Sequence, residues 1–227
     1  MKPRILKRES VVTYMDCGNP SNLLKVLRSL KKSEIREVIA NRIKEFEANY
    51  RKSNEEIFKE LCFCILAANF NAEKSLKIIN SLGDEVMTLS KPELAKKLKK
   101  LGHRYPNLRA EYIIEARRYK NELKSLIASF DNEEELREWL VKNIKGLGYK
   151  EASHFLRNIG FKNFAIIDFH IINLLAKYDI IKKPRTLTKI KYLEIETILR
   201  NIAKNLGVSL AELDLYLWYL ETKKILK

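Results

Sequence analysis

From Leu23 onward, apolar residues recur at every third or fourth position, the spacing of one face of an α-helix. Leu24, Val26, Leu27 and Leu30 make one stripe and Ile35, Val38, Ile39, Ile43 and Phe46 a second, which predicts two amphipathic helices. Ser53 and Glu56 stand ahead of a nearly all-apolar run from Ile57 to Phe70. That pair can exchange side-chain and backbone hydrogen bonds as a capping box, so the run is predicted to be a central buried helix. The same signature recurs at Ser90 with Glu93, and at Ser209 with Glu212 ahead of Leu213, Leu217 and Leu220. Gly102 interrupts the chain, and Tyr105-Pro106 opens a helix predicted to run to about residue 129, with Asp131 capping the next. Phe164 to Ile167 is the one strand-like stretch, too short and isolated to found a sheet. The pattern predicts a compact all-α protein of roughly ten helices at the usual ~11–12 residues each.

Composition agrees with that reading and adds a partner. Only seven glycines and five prolines interrupt 227 residues that are 46% hydrophobic, which suits long helices around a real core. Against 29 Asp+Glu stand 44 Lys+Arg, a net charge of +15. A field of that sign draws polyanions. Heat-adapted ion-pair networks would sit near charge balance, and a membrane-surface helix would gather its cations on one segment, whereas here they are spread along the chain. Nucleic acid is therefore the expected partner and a membrane is not. No apolar run reaches the ~18 residues of a membrane span, and MKPRILKRES lacks the apolar stretch of a secretory signal. The expectation is a cytoplasmic, nucleoid-associated monomer whose residues 1–22 form a poorly ordered basic leader. Cys17, Cys62 and Cys64 are odd in number and too few for an iron–sulfur cluster, and His103, His154 and His170 have no zinc spacing with them. No metal site is expected.

The informative stretch is NIKGLGYKEASHFLRNIGFKNFAIIDFHIINLL, residues 143–175. Helical periodicity stops at Ile144, Gly146-Leu147-Gly148 can turn tightly, and periodicity restarts at Lys150. Such a hairpin aims backbone N–H groups outward beside a helix N-terminus and can hold a phosphate without reading a base. An ordinary helix–helix turn gives the same pattern, so the hairpin alone does not decide. Lys150 then lies on the first turn of the new helix, beside whatever the hairpin binds. Asp168 follows Ala165-Ile166-Ile167 and precedes a helical run, the place of an N-cap whose carboxylate is held by backbone N–H groups.

Taken together, Gly146-Leu147-Gly148-Tyr149-Lys150 and Ile166-Ile167-Asp168-Phe169-His170 resemble the helix-hairpin-helix base-excision glycosylase superfamily, and within it the archaeal-type (second type) 8-oxoguanine DNA glycosylase/AP lyases. The similarity runs from about residue 22 to the C-terminus. It includes the segment from Cys62 to Phe70, Leu101-Gly102-His103-Arg104-Tyr105, and Asp214 to Tyr219 with the closing Lys-Ile-Leu-Lys. The resemblance implies two helical lobes with the hairpin at the cleft between them, the terminal segments of 23–227 forming one lobe and roughly 55–180 the other. It implies duplex DNA with an oxidised base as substrate, Lys150 as amine nucleophile and Asp168 as its acidic partner. It also implies a base pocket of His154, Tyr105, Trp218, Asp214 and the terminal Lys227, although spacing alone puts Trp218 in a core. Lys145, Gly146, Gly148, Tyr149, Asn69, Phe70 and Arg104 are the expected DNA contacts, with Arg109 on phosphate or solvent and His170 hydrogen-bonded near the Asp168 cap.

Base excision needs a nucleophile at the anomeric carbon and a negative charge to offset the positive charge building on the sugar. A lysine is ordinarily protonated, so cationic neighbours such as Lys145, burial under DNA, or proton transfer to Asp168 must free the amine. No cofactor is required, though the hairpin carbonyls could bind a monovalent cation. Three alternatives stay open at this stage: a non-catalytic module using the hairpin for phosphate alone, the same chemistry on another lesion, and a helical interaction protein that binds no nucleic acid.

Overall fold

The computed structural model describes residues 20–225. Within them lie thirteen α-helices, one 3-10 turn and no strand. They are α1 (Pro20–Lys31), α2 (Ile35–Asn49), α3 (Asn54–Ala67), α4 (Ala72–Leu82), α5 (Glu85–Thr88), α6 (Lys91–Lys100), α7 (Pro106–Ala116), the 3-10 turn (Arg117–Tyr119), α8 (Leu123–Ala128), α9 (Glu133–Asn143), α10 (Tyr149–Asn158), α11 (Phe169–Lys177), α12 (Lys189–Leu206) and α13 (Leu210–Thr222). The all-α expectation holds. The helix starts read from Ser53, Ser90 and Ser209 are all observed, each with its serine at the N-cap.

Three expectations about elements change. Helix α1 already begins at Pro20, inside the stretch read as leader, while residues 1–19, including Cys17, lie outside the described residues. The long helix expected from Pro106 breaks after Ala116. There the Arg117 guanidinium turns back to the carbonyls of Val86 and Leu89, and Asn54 takes over at the start of α8, accepting from Lys124 N–H at 2.9 Å and donating to Asn121 O at 2.7 Å. Tertiary side-chain partners thus replace the helical ladder. Finally, Asn132 rather than Asp131 caps α9, because its backbone is extended and its Oδ1 accepts from Glu134 and Glu135 N–H.

Buried side chains fall into two cores. One is continuous in sequence, from Ile57 to Phe164, and contains both Cys62 and Cys64, fully buried and not joined in a disulfide. The other joins Leu23 to Phe46 with Ala165 to Leu217. The stretch 165–180, expected with the middle segment, packs with the termini, since Ile171, Leu174 and Leu175 of α11 join the same core as α13. The strand-like Phe164 to Ile167 is where the chain crosses between cores. Its backbone bonds to side chains of α12 instead of to another strand: Ala165 N–H donates to Glu196 Oε1 at 2.9 Å, and Tyr192 Oη donates to Ala165 O at 2.7 Å.

Two buried ion pairs span the same boundary. Arg137 on α9 makes a two-pronged pair with Glu196 on α12 at 2.7 and 2.9 Å, and Arg157 on α10 meets Asp214 on α13 at 2.5 Å. Removing one partner of such a pair strands an uncompensated charge in the interior. Glu196→Ala is therefore expected to lower the free energy of unfolding by about 3–5 kcal/mol, read by urea denaturation, because Arg137 stays buried and Ala165 N–H loses its acceptor.

Candidate active site

A cleft of about 1240 Å³ opens between the two cores. From the middle core, α10 supplies Lys150, Glu151, His154 and Arg157, and two turns supply Asn69, Phe70, Arg104 and Tyr105. The crossing segment supplies Ile166 and Ile167, the start of α11 supplies Asp168 to Ile171, and α13 supplies Asp214 and Trp218. Residues far apart in sequence therefore meet because the crossing segment and α13 face α10.

The hairpin explains how Lys150 is aimed. Gly146 has φ +89°, and a Cβ there would lie 2.5 Å from Cδ2 of Tyr112, so the turn needs glycine both for conformation and for space. Gly148 is extended and serves as N-cap of α10; lacking a side chain, it donates its N–H to Glu151 Oε2 at 3.2 Å. Lys150 follows on the first turn, with Nζ 3.3 Å from Glu151 Oε1. Asp168 is the N-cap of α11, its Oδ1 accepting from Ile171 N–H at 3.0 Å. That bond fixes the carboxylate's orientation at the helix N-terminus.

Asp214 is the second carboxylate of the cleft. Burial pushes its pKa up to about 6; Arg157 opposes the rise, Asp168 adds to it, and Lys150 opposes it. Arg157 is in turn lowered by burial against the attraction of Asp214, so for both partners desolvation outweighs the pairing. His154 is buried edge-on to Phe63, with ring centroids 5.4 Å apart. Trp218 stands edge-on to His170 at 5.3 Å, and its indole Nε1 is buried without a hydrogen-bond partner among the described residues. His170 is held by ring contacts, with Phe169 at 3.8 Å as well as Trp218, rather than by the hydrogen bond expected near the cap. Phe169 is largely exposed at the mouth.

The turn after α3 is fixed by its neighbours. Asn69 has φ +54°, and Phe70 packs on His103 at 4.3 Å. Tyr105 N–H donates to His103 Nδ1, which assigns the proton to Nε2 and makes that nitrogen the donor to Leu66 O at 3.0 Å. Arg104 is exposed with its guanidinium over the Tyr105 ring.

Other expected site residues lie elsewhere. Lys145 pairs with Glu115 at 2.8 Å, and the charged group on Lys150 is the carboxylate of Glu151, so Lys145 is not the cationic neighbour expected to free the amine. Tyr149 turns from the cleft toward Tyr192 and donates to Glu138, because its ring completes the second core. Arg109 is buried, donating to Ala68 O, and reaches neither solvent nor a phosphate surface. Lys227 lies outside the described residues; just before it, Lys224 pairs with Glu73 of α4 at 3.0 Å. Sequence reasoning missed Glu151 and Arg157. Helical spacing carried a signal for the second, since 150, 154 and 157 share one face of α10. Glu151 was hidden because a capping box with glycine at its head lacks the usual hydroxyl.

Comparison with known proteins agrees with this geometry. The model of the family described as 8-oxoguanine DNA glycosylase matches residues 39–208. An 8-oxoguanine DNA glycosylase/AP lyase of Korarchaeum cryptofilum is 58% identical over 207 residues, covering 91% of this chain and 98% of that protein. One from Methanocaldococcus jannaschii is 55% identical over 206 residues, covering 90% and 99%. The crystal structure of the Methanocaldococcus jannaschii 8-oxoguanine glycosylase/lyase in complex with 15mer DNA containing 8-oxoguanine matches with a TM-score of 0.88, covering 91% of this chain and 100% of that one. The Thermotoga maritima enzyme matches with a TM-score of 0.86 at 40% identity, covering 92% and 100%. The resemblance first drawn from the hairpin, Lys150 and Asp168 is borne out by a match that spans both cores and the crossing between them. This chain belongs to the 8-oxoguanine DNA glycosylase family.

Proposed function

We propose that this protein is a bifunctional DNA glycosylase/AP lyase that excises 8-oxoguanine from duplex DNA and then cuts the strand 3′ to the abasic site. The observation that carries the reading is that Lys150, beside the hairpin, and Asp168, fixed at a helix N-terminus, line one cleft. The hairpin meets a phosphate of the damaged strand, with the Gly148 N–H already held by Glu151, and the target base leaves the stack and enters the cleft. His154, Tyr105, Trp218 and Asp214 surround it. Arg104, Asn69 and Phe70 meet the opposite side of the duplex.

Chemistry then needs only groups of this chain. Uncharged Lys150 attacks C1′ of the sugar, the bond from C1′ to the base nitrogen breaks, and the base departs with the electron pair. Asp168 offsets the positive charge on the sugar as that bond lengthens. The amine gives up its proton to a neighbouring carboxylate, Asp168 or Glu151, and ring opening yields an imine at C1′. Loss of a proton from C2′ expels the 3′ phosphate as the C3′–O bond breaks, and water later releases the lysine. No cofactor takes part; a monovalent cation at the hairpin carbonyls would strengthen the phosphate contact. The enzyme works as a monomer on the DNA of the cytoplasmic nucleoid. Among the described residues no helix is long and apolar enough to cross a membrane.

Lys150→Gln is expected to abolish both borohydride-trapped cross-links to 8-oxoguanine duplexes and strand cleavage; a mutant that still cross-links would overturn the assignment of the nucleophile. Asp168→Asn is expected to slow single-turnover excision by about 10²–10³-fold, the usual loss when one electrostatic stabiliser is removed. Asp214 gives a pH signature. Because its folded pKa is raised from 3.8 to about 6, the folded protein holds a proton that the unfolded chain has lost between those values, and stability from this group falls as pH rises through that window. The stability of wild type relative to Asp214→Asn, followed by thermal melting, is expected to be greatest near the lower end and to decline toward pH 6.

A further inference from the structure

The turn after α3 and the hairpin before α10 come from distant parts of the chain, yet one side chain lies beside both. Arg109, on the first turn of α7, is 4% exposed. Its Nη2 donates to Ala68 O at 2.5 Å, the carbonyl immediately before Asn69. Its Nη1 lies 3.3 Å from the position a Cβ on Gly146 would take, with the Tyr112 ring closing the rest of that space. The guanidinium carbon also stands 5.9 Å from the Tyr105 ring centroid and 5.6 Å from that of Tyr112. One planar group thus lies against the Asn69 turn, the Tyr105 turn and the hairpin.

A helix cap alone does not account for this arrangement. The end of α3 already has partners, since Phe70 N–H donates to Ala67 O and His103 donates to Leu66 O. Arg109 has no ion pair with a carboxylate among the described residues, and its Nε is buried without a hydrogen-bond partner. Burial lowers its pKa, against weaker attraction from Tyr112, Glu151 and Tyr105. A buried cation with an unsatisfied donor is a costly way to cap one carbonyl. What the guanidinium offers, and lysine or glutamine does not, is a rigid fork long enough to brace two turns at once.

We infer that Arg109 is a positioning residue that fixes the separation between the hairpin, where Lys150 begins its helix, and the Asn69–Phe70 turn. The inference rests on the function proposed above and adds a requirement to it. Duplex DNA engages both turns together, the hairpin on the damaged strand and the Asn69 turn on the opposite one, so their spacing must match the duplex. A single strand engages the hairpin alone and is indifferent to that spacing.

The two substrates therefore separate a positioning role from a merely structural one. Arg109→Met and Arg109→Lys are compared with wild type for single-turnover excision of 8-oxoguanine from duplex DNA, and for cleavage of a single-stranded oligonucleotide carrying a preformed abasic site. Melting temperatures are recorded alongside. For Arg109→Met, duplex excision is expected to fall by about 10- to 100-fold while single-strand cleavage changes by no more than about threefold, the scale of loss that a misplacement of about 1 Å produces. Arg109→Lys keeps the charge without the fork and is expected to show the same split to a smaller extent; it carries the test if the methionine variant does not fold. A parallel fall in both activities, or no fall in either, would overturn the inference. Wild type that cuts abasic strands but leaves 8-oxoguanine in place would instead overturn the proposed function and take this inference with it.

Discussion

The buried pair of Arg157 and Asp214 is the contact on which the site depends. Arg157 belongs to the helix that carries Lys150 and His154, and Asp214 to the helix that carries Trp218, so the pair sets where one wall of the cleft stands relative to the other. Both groups lose solvation in forming it, and burial pushes each toward its neutral form against the attraction between them. The stabilising side comes from around the pair: the Phe46 ring lies 4.7 Å from the Arg157 guanidinium, and Asn158 accepts its remaining donors. A join that gives little net stability but permits one geometry is suited to holding Lys150 on one lobe against Asp168 on the other.

The second cross-boundary network, Arg137 with Glu196, serves the crossing segment. Glu196 receives two guanidinium donors and also Ala165 N–H, while Tyr192 bonds the Ala165 carbonyl. The short extended stretch before Asp168 is thereby anchored on the side away from the cleft. Asp168 can then present its carboxylate at a reproducible height without any sheet beneath it.

Much of this was legible in the chain. The Ser53, Ser90 and Ser209 caps announce their helices because a hydroxyl three residues ahead of a carboxylate has one common use. Lys150 and Asp168 could be singled out because a glycine hairpin and an N-cap aspartate are local features that together carry the family resemblance. The residues that escaped are those whose roles depend on contacts distant in sequence. Nothing near Tyr149 shows that its ring is claimed by Tyr192, and nothing near Lys145 shows Glu115. Arg109 looked like a surface cation because a buried arginine without a carboxylate is rare. The break after Ala116 was invisible for the same reason, since it is made by Val86, Leu89 and Asn54.

The two cores also differ in how they can be born. The middle one is contiguous and complete once Phe164 has been made, whereas the other needs Leu23 to Phe46 to await Ala165 to Leu217. The first two helices therefore pack on each other but wait about 120 residues of further synthesis, several seconds at about 5–20 residues per second, for the rest of their core. During that interval the nascent chain carries a finished lobe flanked by an unfinished one, and holdase chaperones have a defined segment to shield.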